Sequence, residues 1–519
     1  MGPPSRTASR TGRSSRTIRT TAAIVAGKAT RAALQVLGRG ATALPGLVAL
    51  AVDPDTVARV SDALPHGAVA VTGTNGKTTT TRMLADIVRA AGWAPVHNRS
   101  GSNLDRGLAA AILADATWRG EPRGDVGIYE LDEASVPPIL ARLHPRILVV
   151  TNLFRDQLDR YYEIDALARR LAVAIGLLPA TTTLVLNADD PIVAYLGNAH
   201  RGAVLYFGVD DPAIGVTVAT GGADDATGST PPAVASGSTA PAGSAVPAGS
   251  AEGGGSPARA FQGISDATRC PRCHGPLAYT RVVLAHVGEW SCAQCGLVRP
   301  PRDLAAARVV LGAAATELRI AGTVGAVLDA IIVPVPGAYN AYNAVAALAA
   351  ARALDIALPT ATRALAGYRP AFGRLEAIAA EGRSLRLVLV KNPAGFNAAI
   401  GALLETGRRP RILAALNDRD ADSRDVSWIW DADFEALAPA IVHAVVTGLR
   451  ARDMALRLKY AGVPAERIVV VDGWAAAIRR SLAEAPIGEE IVVLTTYTAL
   501  LAIRDALARL GYVKQFWED

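Results

Sequence analysis

Cysteine is scarce in this chain. Its 519 residues hold four, all in two CxxC pairs, Cys270 with Cys273 and Cys292 with Cys295. No thiol is left over to act as a nucleophile, so thiolate chemistry such as the common class of glutamine hydrolysis is excluded for the chain alone. Long apolar runs are missing too. Leu44 to Val52 (LPGLVALAV) falls far short of the ~20 residues that cross a bilayer, so no transmembrane segment is expected and the chain reads as cytoplasmic. Acidic residues are absent from the opening MGPPSRTASRTGRSSRTIRTT. That stretch inflates the net charge of +6 without describing the folded surface, so the charge does not argue for nucleic acid. Residues 1–40 read as a basic disordered tail, with a targeting segment as the alternative.

What is present is an ordinary globular composition, half of it hydrophobic, long enough for two or three domains. GAVAVTG (67–73) reads as a buried strand and TTRMLADIVRAAG (80–92) as a helix closed by glycine. DVGIYEL, RILVVTNL and TTLVLNADD repeat the strand pattern. Strands alternating with helices predict an α/β fold, a parallel sheet with helices on both faces. Between residues 219 and 257 the chain turns to Gly, Ala, Ser, Pro and Thr, a flexible linker by composition. The alternation resumes near Ala307, passes a hinge at GYRPAFGRLE, and restarts near Arg383 as a Rossmann-like domain. The expected boundaries are 41–372 for a central ATP-binding domain and 373–519 for the C-terminal one.

The two CxxC pairs, eighteen residues apart, have the spacing of a four-thiolate zinc site. Each pair makes a knuckle that places two sulfurs on one metal, with Gly275 and Gly296 suited to the sharp turns. A disulfide pair or a redox dithiol are the other readings. With no open coordination position and few basic or aromatic neighbours, the module at 266–300 reads as a structural ribbon inserted in the first domain.

The segment TGTNGKTT (72–79), set between a strand and a helix, is a phosphate loop. Gly73, Thr74, Asn75, Gly76, Lys77, Thr78 and Thr79 would surround nucleotide phosphates. Lys77 would reach the β/γ-phosphates and Thr78 would ligate Mg²⁺. The loop is shorter than the standard pattern, with only Thr74 and Asn75 between its glycines.

This short loop resembles that of the Mur ligase superfamily, and further segments match it in order. YELDEAS (129–135) offers Glu130 as the strand-end Mg²⁺ ligand. TNLFRDQLDRY (151–161) resembles the family's TN…DHLD segment, with Gln157 in place of the usual metal-binding His. LNADDP (186–191) matches a turn, PGAYNAYNAVAA (336–347) supplies the nucleotide-contacting Asn340 and Asn343, and FGRLE (372–376) with Arg374 matches the domain junction. The resemblance implies that ATP phosphorylates a carboxylate and that an amine then displaces the phosphate.

No full domain for a UDP-linked precursor precedes the loop, and LVKNPAGFN (389–397) lacks the histidine of the superfamily's D-x-x-H-N-P segment. With the ribbon and NDRDADSRDVSWIWDADFE (417–435), the chain resembles the MurT family, the ligase subunits of lipid II isoglutaminyl synthase. That implies amidation of the α-carboxyl of D-glutamate in lipid II at the inner membrane face, with ammonia from a GatD-type glutamine amidotransferase partner. An Asp of the acidic segment would complete that partner's Cys–His pair. Asp422 is favoured and Asp425 is the fallback, and Trp428 and Trp430 suggest an exposed docking surface. The other readings are a different amide ligase of the superfamily, folylpolyglutamate-like or amino-acid-adding, and a zinc-ribbon scaffold with a vestigial ATPase.

Overall fold

The computed structural model describes residues 13–36, 43–98, 105–155, 164–218, 266–312, 314–322, 330–369, 374–405, 407–422 and 424–513. The linker at 219–257, Gln157 and Phe372 lie outside the described residues.

The buried runs AVAVT, VGIYE, ILVV and TLVLN form adjacent parallel strands of a nine-stranded sheet. From one edge its order is Pro95–His97, Val126–Glu130, Ala68–Thr72, Ile147–Val150, Thr183–Asn187, Val204–Val209, Leu304–Leu311, Thr316–Gly322 and Ile331–Val333. The last two pairings are antiparallel, so the sheet is mixed. Strands Ala68–Thr72, Val126–Glu130 and Ile147–Val150 are buried on both faces, as a doubly covered parallel sheet requires. One face packs against helices Lys77–Ala90 and Ala338–Ala353, where Met83, Leu84, Ile87, Val345 and Leu348 have no solvent contact. Leu108, Ile112, Leu143, Leu171 and Ile175 cover the other.

A six-stranded sheet forms the second α/β layer, in the order Arg374–Ala380, Arg383–Leu389, Glu490–Thr495, Arg411–Ala415, His443–Thr447 and Ile468–Val470. Its first pairing is antiparallel and the others are parallel. A small third sheet joins Val216–Thr217 to the hairpin Ala278–Leu284 and Val287–Ser291. The ribbon is therefore stitched to the strand that leaves the first sheet.

The expectation of a disordered tail over 1–40 is corrected over Arg13–Val36. Arg13–Val36 is a helix, packed on helices Leu44–Val52 and Asp105–Asp115. Ala23 and Ile24 are fully buried, and Thr20 Oγ1 donates to the buried carboxylate of Asp53 at 2.9 Å. The apolar residues that do this, Ala23 and Ile24, lie just past the basic stretch that dominates the composition. Ile24→Asp should free this helix, so that trypsin cuts at Lys28 and Arg31 at least about tenfold faster than in wild type; unchanged protection would show that the helix does not depend on this contact.

Candidate active site and four-cysteine centre

Strand Ala68–Thr72 ends in a loop whose two glycines are required by position. Gly73 has φ +130°, and a Cβ there would come within 2.2 Å of Thr151 Oγ1. Gly76 has φ +86°, and its missing Cβ makes room for Asn343 Oδ1, which would be 2.0 Å away. Both backbones are left-handed, where only glycine sits without cost. The TN pair at the end of the neighbouring strand braces the loop. Asn75 N–H donates to Asn152 Oδ1 at 2.8 Å, and Thr151 Oγ1 donates to Asn75 O at 2.7 Å.

Lys77 opens the following helix and is buried. Its ammonium bonds Gly73 O at 2.5 Å and Glu133 Oε2 at 2.9 Å. Thr78 Oγ1 donates to Glu130 Oε1 at 2.9 Å, also out of solvent. A hydroxyl and a carboxylate oxygen side by side are the hard donors that Mg²⁺ takes. Asn98 fixes Glu130 from the edge strand: its side chain accepts from the Glu130 N–H at 2.8 Å and donates to the carbonyl at 2.7 Å.

Asn340 and Asn343 stand on helix Ala338–Ala353, linked through Asn343 Nδ2 to Asn340 Oδ1 at 3.2 Å. Between them and the second sheet lies a cleft of about 1140 Å³. Gly76, Thr79, Asn340 and Asn343 line one side, and Pro393 and Asn397 the other. The two halves touch where Asn75 and Asn392 exchange amide hydrogen bonds of 3.4 and 3.3 Å. Asn392 belongs to the KNP segment, and its Oδ1 also accepts from Gly395 N at 2.7 Å in the first turn of helix Pro393–Glu405.

The turn LNADDP carries two buried carboxylates. Asp190 caps helix Pro191–Leu196, accepting from the N–H groups of Ile192 and Val193 at 2.9 and 3.1 Å. Asp189 accepts from Arg299 at 2.7 Å, from the Tyr342 hydroxyl at 2.7 Å and from Val209 N–H at 2.9 Å. Burial pushes the Asp189 carboxyl up, while Arg299 and the hydrogen bonds pull it down. Arg299 follows the second knuckle and Tyr342 adjoins Asn343, so Asp189 joins the ribbon to the asparagine helix. The ribbon also reaches the cleft itself, which Val283, Leu284 and Ala285 line.

In the ribbon, Cys270 Sγ lies 3.6 Å from Cys295 Sγ and Cys273 Sγ 3.6 Å from Cys292 Sγ, with all four sulfurs within 4.8 Å of one another. A tetrahedral zinc with Zn–S of about 2.3 Å separates its sulfurs by about 3.8 Å, whereas a disulfide needs about 2.05 Å. The set fits a four-thiolate zinc and not disulfides. The Cys295 N–H pulls the Cys292 thiol down to about 7, while burial pushes the Cys270 thiol up. The knuckles match in backbone: His274 N–H donates to Cys270 O at 2.9 Å, and Gly296 N–H to Cys292 O at 3.0 Å. The turn roles differ from the expectation. His274, at φ +61°, is the left-handed residue of the first knuckle, and Gly275 is needed for close packing, since a Cβ would meet Gln294 Oε1 at 2.1 Å.

The acidic segment is less open than its composition suggests. Asp422 is buried; its carboxylate accepts from the Thr498 N–H at 2.7 Å and also from the Thr498 hydroxyl. Asp425 is exposed and accepts from Ser427 N–H at 2.8 Å. Asp418 pairs with Arg450 and Asp420 with Arg424. Trp428 is only 2% exposed, whereas Trp430 is 48% exposed and packs edge-on against Tyr460.

Residues 71–227 match the family model described as the Mur ligase middle domain, and residues 389–500 that described as MurT ligase C-terminal. The chain is 31% identical over 96% of its length to the Streptococcus pneumoniae protein named lipid II isoglutaminyl synthase (glutamine-hydrolyzing) subunit MurT, and covers 99% of that protein. This chain belongs to the MurT family. The Staphylococcus aureus protein of the same name is 30% identical over 88% of this chain and 91% of its own. Among solved structures, a pseudomurein peptide ligase type C from Methanothermus fervidus aligns with a TM-score of 0.58 at 19% identity, over 85% of this chain and 78% of its own. Mycobacterium tuberculosis folylpolyglutamate synthase aligns at 0.55 and 16%, over 95% and 96%. These two likenesses show a shared fold, that of the Mur ligases.

The structure brings the phosphate loop, Glu130, Asn340 and Asn343 to one site and gathers the four cysteines at another. Arg374 begins a strand paired with Val388, and its side chain lies outside the described ones. One expectation for this MurT chain is corrected: Trp428 is core rather than exposed. Asp422 turns inward, with Thr498 taking its carboxylate. Residues missed were Glu133, Asn392, Tyr342 and Arg299. Glu133, Asn392 and Tyr342 lay within quoted segments, YELDEAS, LVKNPAGFN and PGAYNAYNAVAA, while nothing local marks Arg299.

Replacing Cys270 and Cys292 by Ser should remove about one zinc per chain and lower the melting temperature, as loss of a structural metal does; unchanged metal content would reject the zinc site. Gly76→Ala should weaken ADP binding at least about tenfold, because the new methyl must displace Asn343. Calorimetric titration with ADP reads this directly.

Proposed function

We propose that this chain is the ligase subunit of a lipid II isoglutaminyl synthase. It would use ATP to amidate the α-carboxyl of D-glutamate in the lipid II stem peptide, with ammonia from a GatD-type glutaminase subunit. The observation that carries the reading is the match over nearly the full length of both chains to the pneumococcal MurT subunit. The phosphate loop with Lys77, Thr78 and Glu130 converging in one buried cluster supports it.

The γ-phosphoryl group passes from ATP to a carboxylate oxygen, releasing ADP. The ammonia nitrogen then attacks the acyl carbon, the bond to the phosphate oxygen breaks, and the nitrogen gives up one proton, taken by the departing phosphate, as the amide forms. Lys77 and the loop N–H groups would hold and neutralise the phosphates. Thr78 and Glu130 would hold Mg²⁺, which supplies further charge neutralisation. Glu133 positions Lys77, Asn340 and Asn343 shape the nucleotide side of the cleft, and Arg374 is assigned to the nucleotide from the opposite domain. The four cysteines would hold a structural zinc.

Ammonia is mostly protonated at neutral pH, so a glutaminase that releases ammonia into a shielded path solves a real problem. All four thiols of this chain stand in the ribbon, hence the need for a second subunit. Exposed Trp430 and Tyr460 make a suitable aromatic docking surface beside the acidic segment. Asp425 is the carboxylate assigned to the partner's histidine, and Asp422 instead steadies the loop through Thr498. The substrate's lipid would place the work at the inner membrane face.

The direct test incubates the chain with ATP, glutamine and a lipid-linked muropeptide, with and without a GatD-type glutaminase. A mass lower by about one dalton, only with both proteins, supports the reading, because an amide NH₂ replaces OH. Coupling of a whole amino acid by the chain alone would overturn it in favour of an amino-acid-adding ligase. Lys77→Ala should reduce amidation at least about a hundredfold with the fold intact. Asp425→Asn should cut glutamine-dependent amidation about a hundredfold while sparing that with added ammonia at high pH. If Asp422→Asn shows this split and Asp425→Asn does not, the assignment moves to Asp422.

A further inference from the structure

Helix Arg13–Val36 has two unlike faces. Thr20, Ala23, Ile24 and Gly27 turn inward. Ile18, Ala22, Val25, Ala29, Ala33 and Val36 recur at helical spacing on the other side and are all exposed, Ile18 to 69% and Val36 to 88%. An apolar stripe on the solvent side of a packed helix, here with branched Ile and Val rather than alanine alone, marks a contact surface. Trp118 stands beside it, 56% exposed, with the Lys28 ammonium 5.4 Å from its ring centroid. Thr21 Oγ1 joins the helix to the same loop through Arg119 O.

The charge around the stripe selects the occupant. Every charged side chain before Asp53 is Arg or Lys. Asp53 itself is buried under Arg59 and Thr20, and adds no outward negative charge. Asp115 at the end of helix Asp105–Asp115 and Glu121 of the loop after it are equalled in number by Arg119 and Arg123 of that loop. Basic residues flanking an apolar stripe with an exposed tryptophan suit an anionic bilayer, whose headgroups meet the cations while acyl chains take the apolar side chains. Among the described residues no helix is long and apolar enough to cross a membrane.

We propose that the outward face of helix Arg13–Val36, with Trp118, docks this protein on an anionic lipid surface. Helix Asp105–Asp115, against which Arg13–Val36 packs, follows Asn98, the residue that grips Glu130. A membrane held at the stripe would thus lie on the side of the domain that carries the edge strand leading into the site. The proposal goes beyond the amidation reading and does not depend on it, since lipid binding is measured without catalysis.

The test is co-sedimentation of the full chain with phosphatidylcholine vesicles, with and without phosphatidylglycerol. Wild type should bind the anionic vesicles and release in high salt. The double variant Ile18→Asp with Val25→Asp should bind at least about tenfold more weakly, and Arg19→Glu should bind more weakly than wild type, with unchanged melting temperatures because all three positions are exposed. Amidation of a lipid-free muropeptide should be unaffected, which separates this proposal from the catalytic one. No binding to either vesicle, or equal binding by wild type and variants, would overturn it. So would self-association of the wild type that the aspartates abolish, which would assign the stripe to a second copy of the chain.

Discussion

Asp189 sits out of water with donors arriving from three directions: Arg299 from the ribbon, Tyr342 from the asparagine helix, and Val209 N–H from the sheet. An ionised carboxylate at that depth is tolerable only while these donors stay in place, and removing a partner from a buried pair typically costs about 3–5 kcal/mol. The arrangement therefore couples parts of the chain that are distant in sequence. The space it needs is left by Gly208, where a Cβ would come within 2.3 Å of Asp189 Oδ1. The ribbon is thus more than an external clip, since it supplies a wall of the cleft and orients the helix that bears Asn340 and Asn343.

The phosphate loop shows the same economy of space. Backbone at Gly73 and Gly76 approaches polar side chains so closely that no other residue fits. The loop is braced by Thr151 and Asn152 below and meets Asn392 of the second domain across the cleft. A ligase must bring nucleotide and acceptor together between two domains, and a contact made by two neutral amides can open and close with little desolvation penalty.

Much of the architecture was legible because it rests on local patterns. Unbroken apolar runs such as AVAVT and ILVV mark strands covered on both faces, and the loop and cysteine spacings are set by bonded geometry over a few residues. The site was legible in part for the same reason: Lys77, Thr78 and the four cysteines come from short segments. Illegible were partners joined by folding. Arg299 is an ordinary arginine until the knuckle carries it to Asp189, and Asp422 looks like any other aspartate of its segment until Thr498, far along the chain, takes its carboxylate. The N-terminal helix was hidden behind composition, because arginines ahead of it outweighed the few apolar residues that pack.

The sequence by itself determined the α/β class, the glycine-bounded loop after the first strand, the four-cysteine set and the family, since each depends on neighbours within one turn or on motifs in fixed order. Only the tertiary structure decided which carboxylates face solvent, which tryptophan is displayed, and that the ribbon helps to form the cleft. Burial and pairing of charge are set by what packs alongside, and residues far apart in the chain become neighbours only once the sheets have formed.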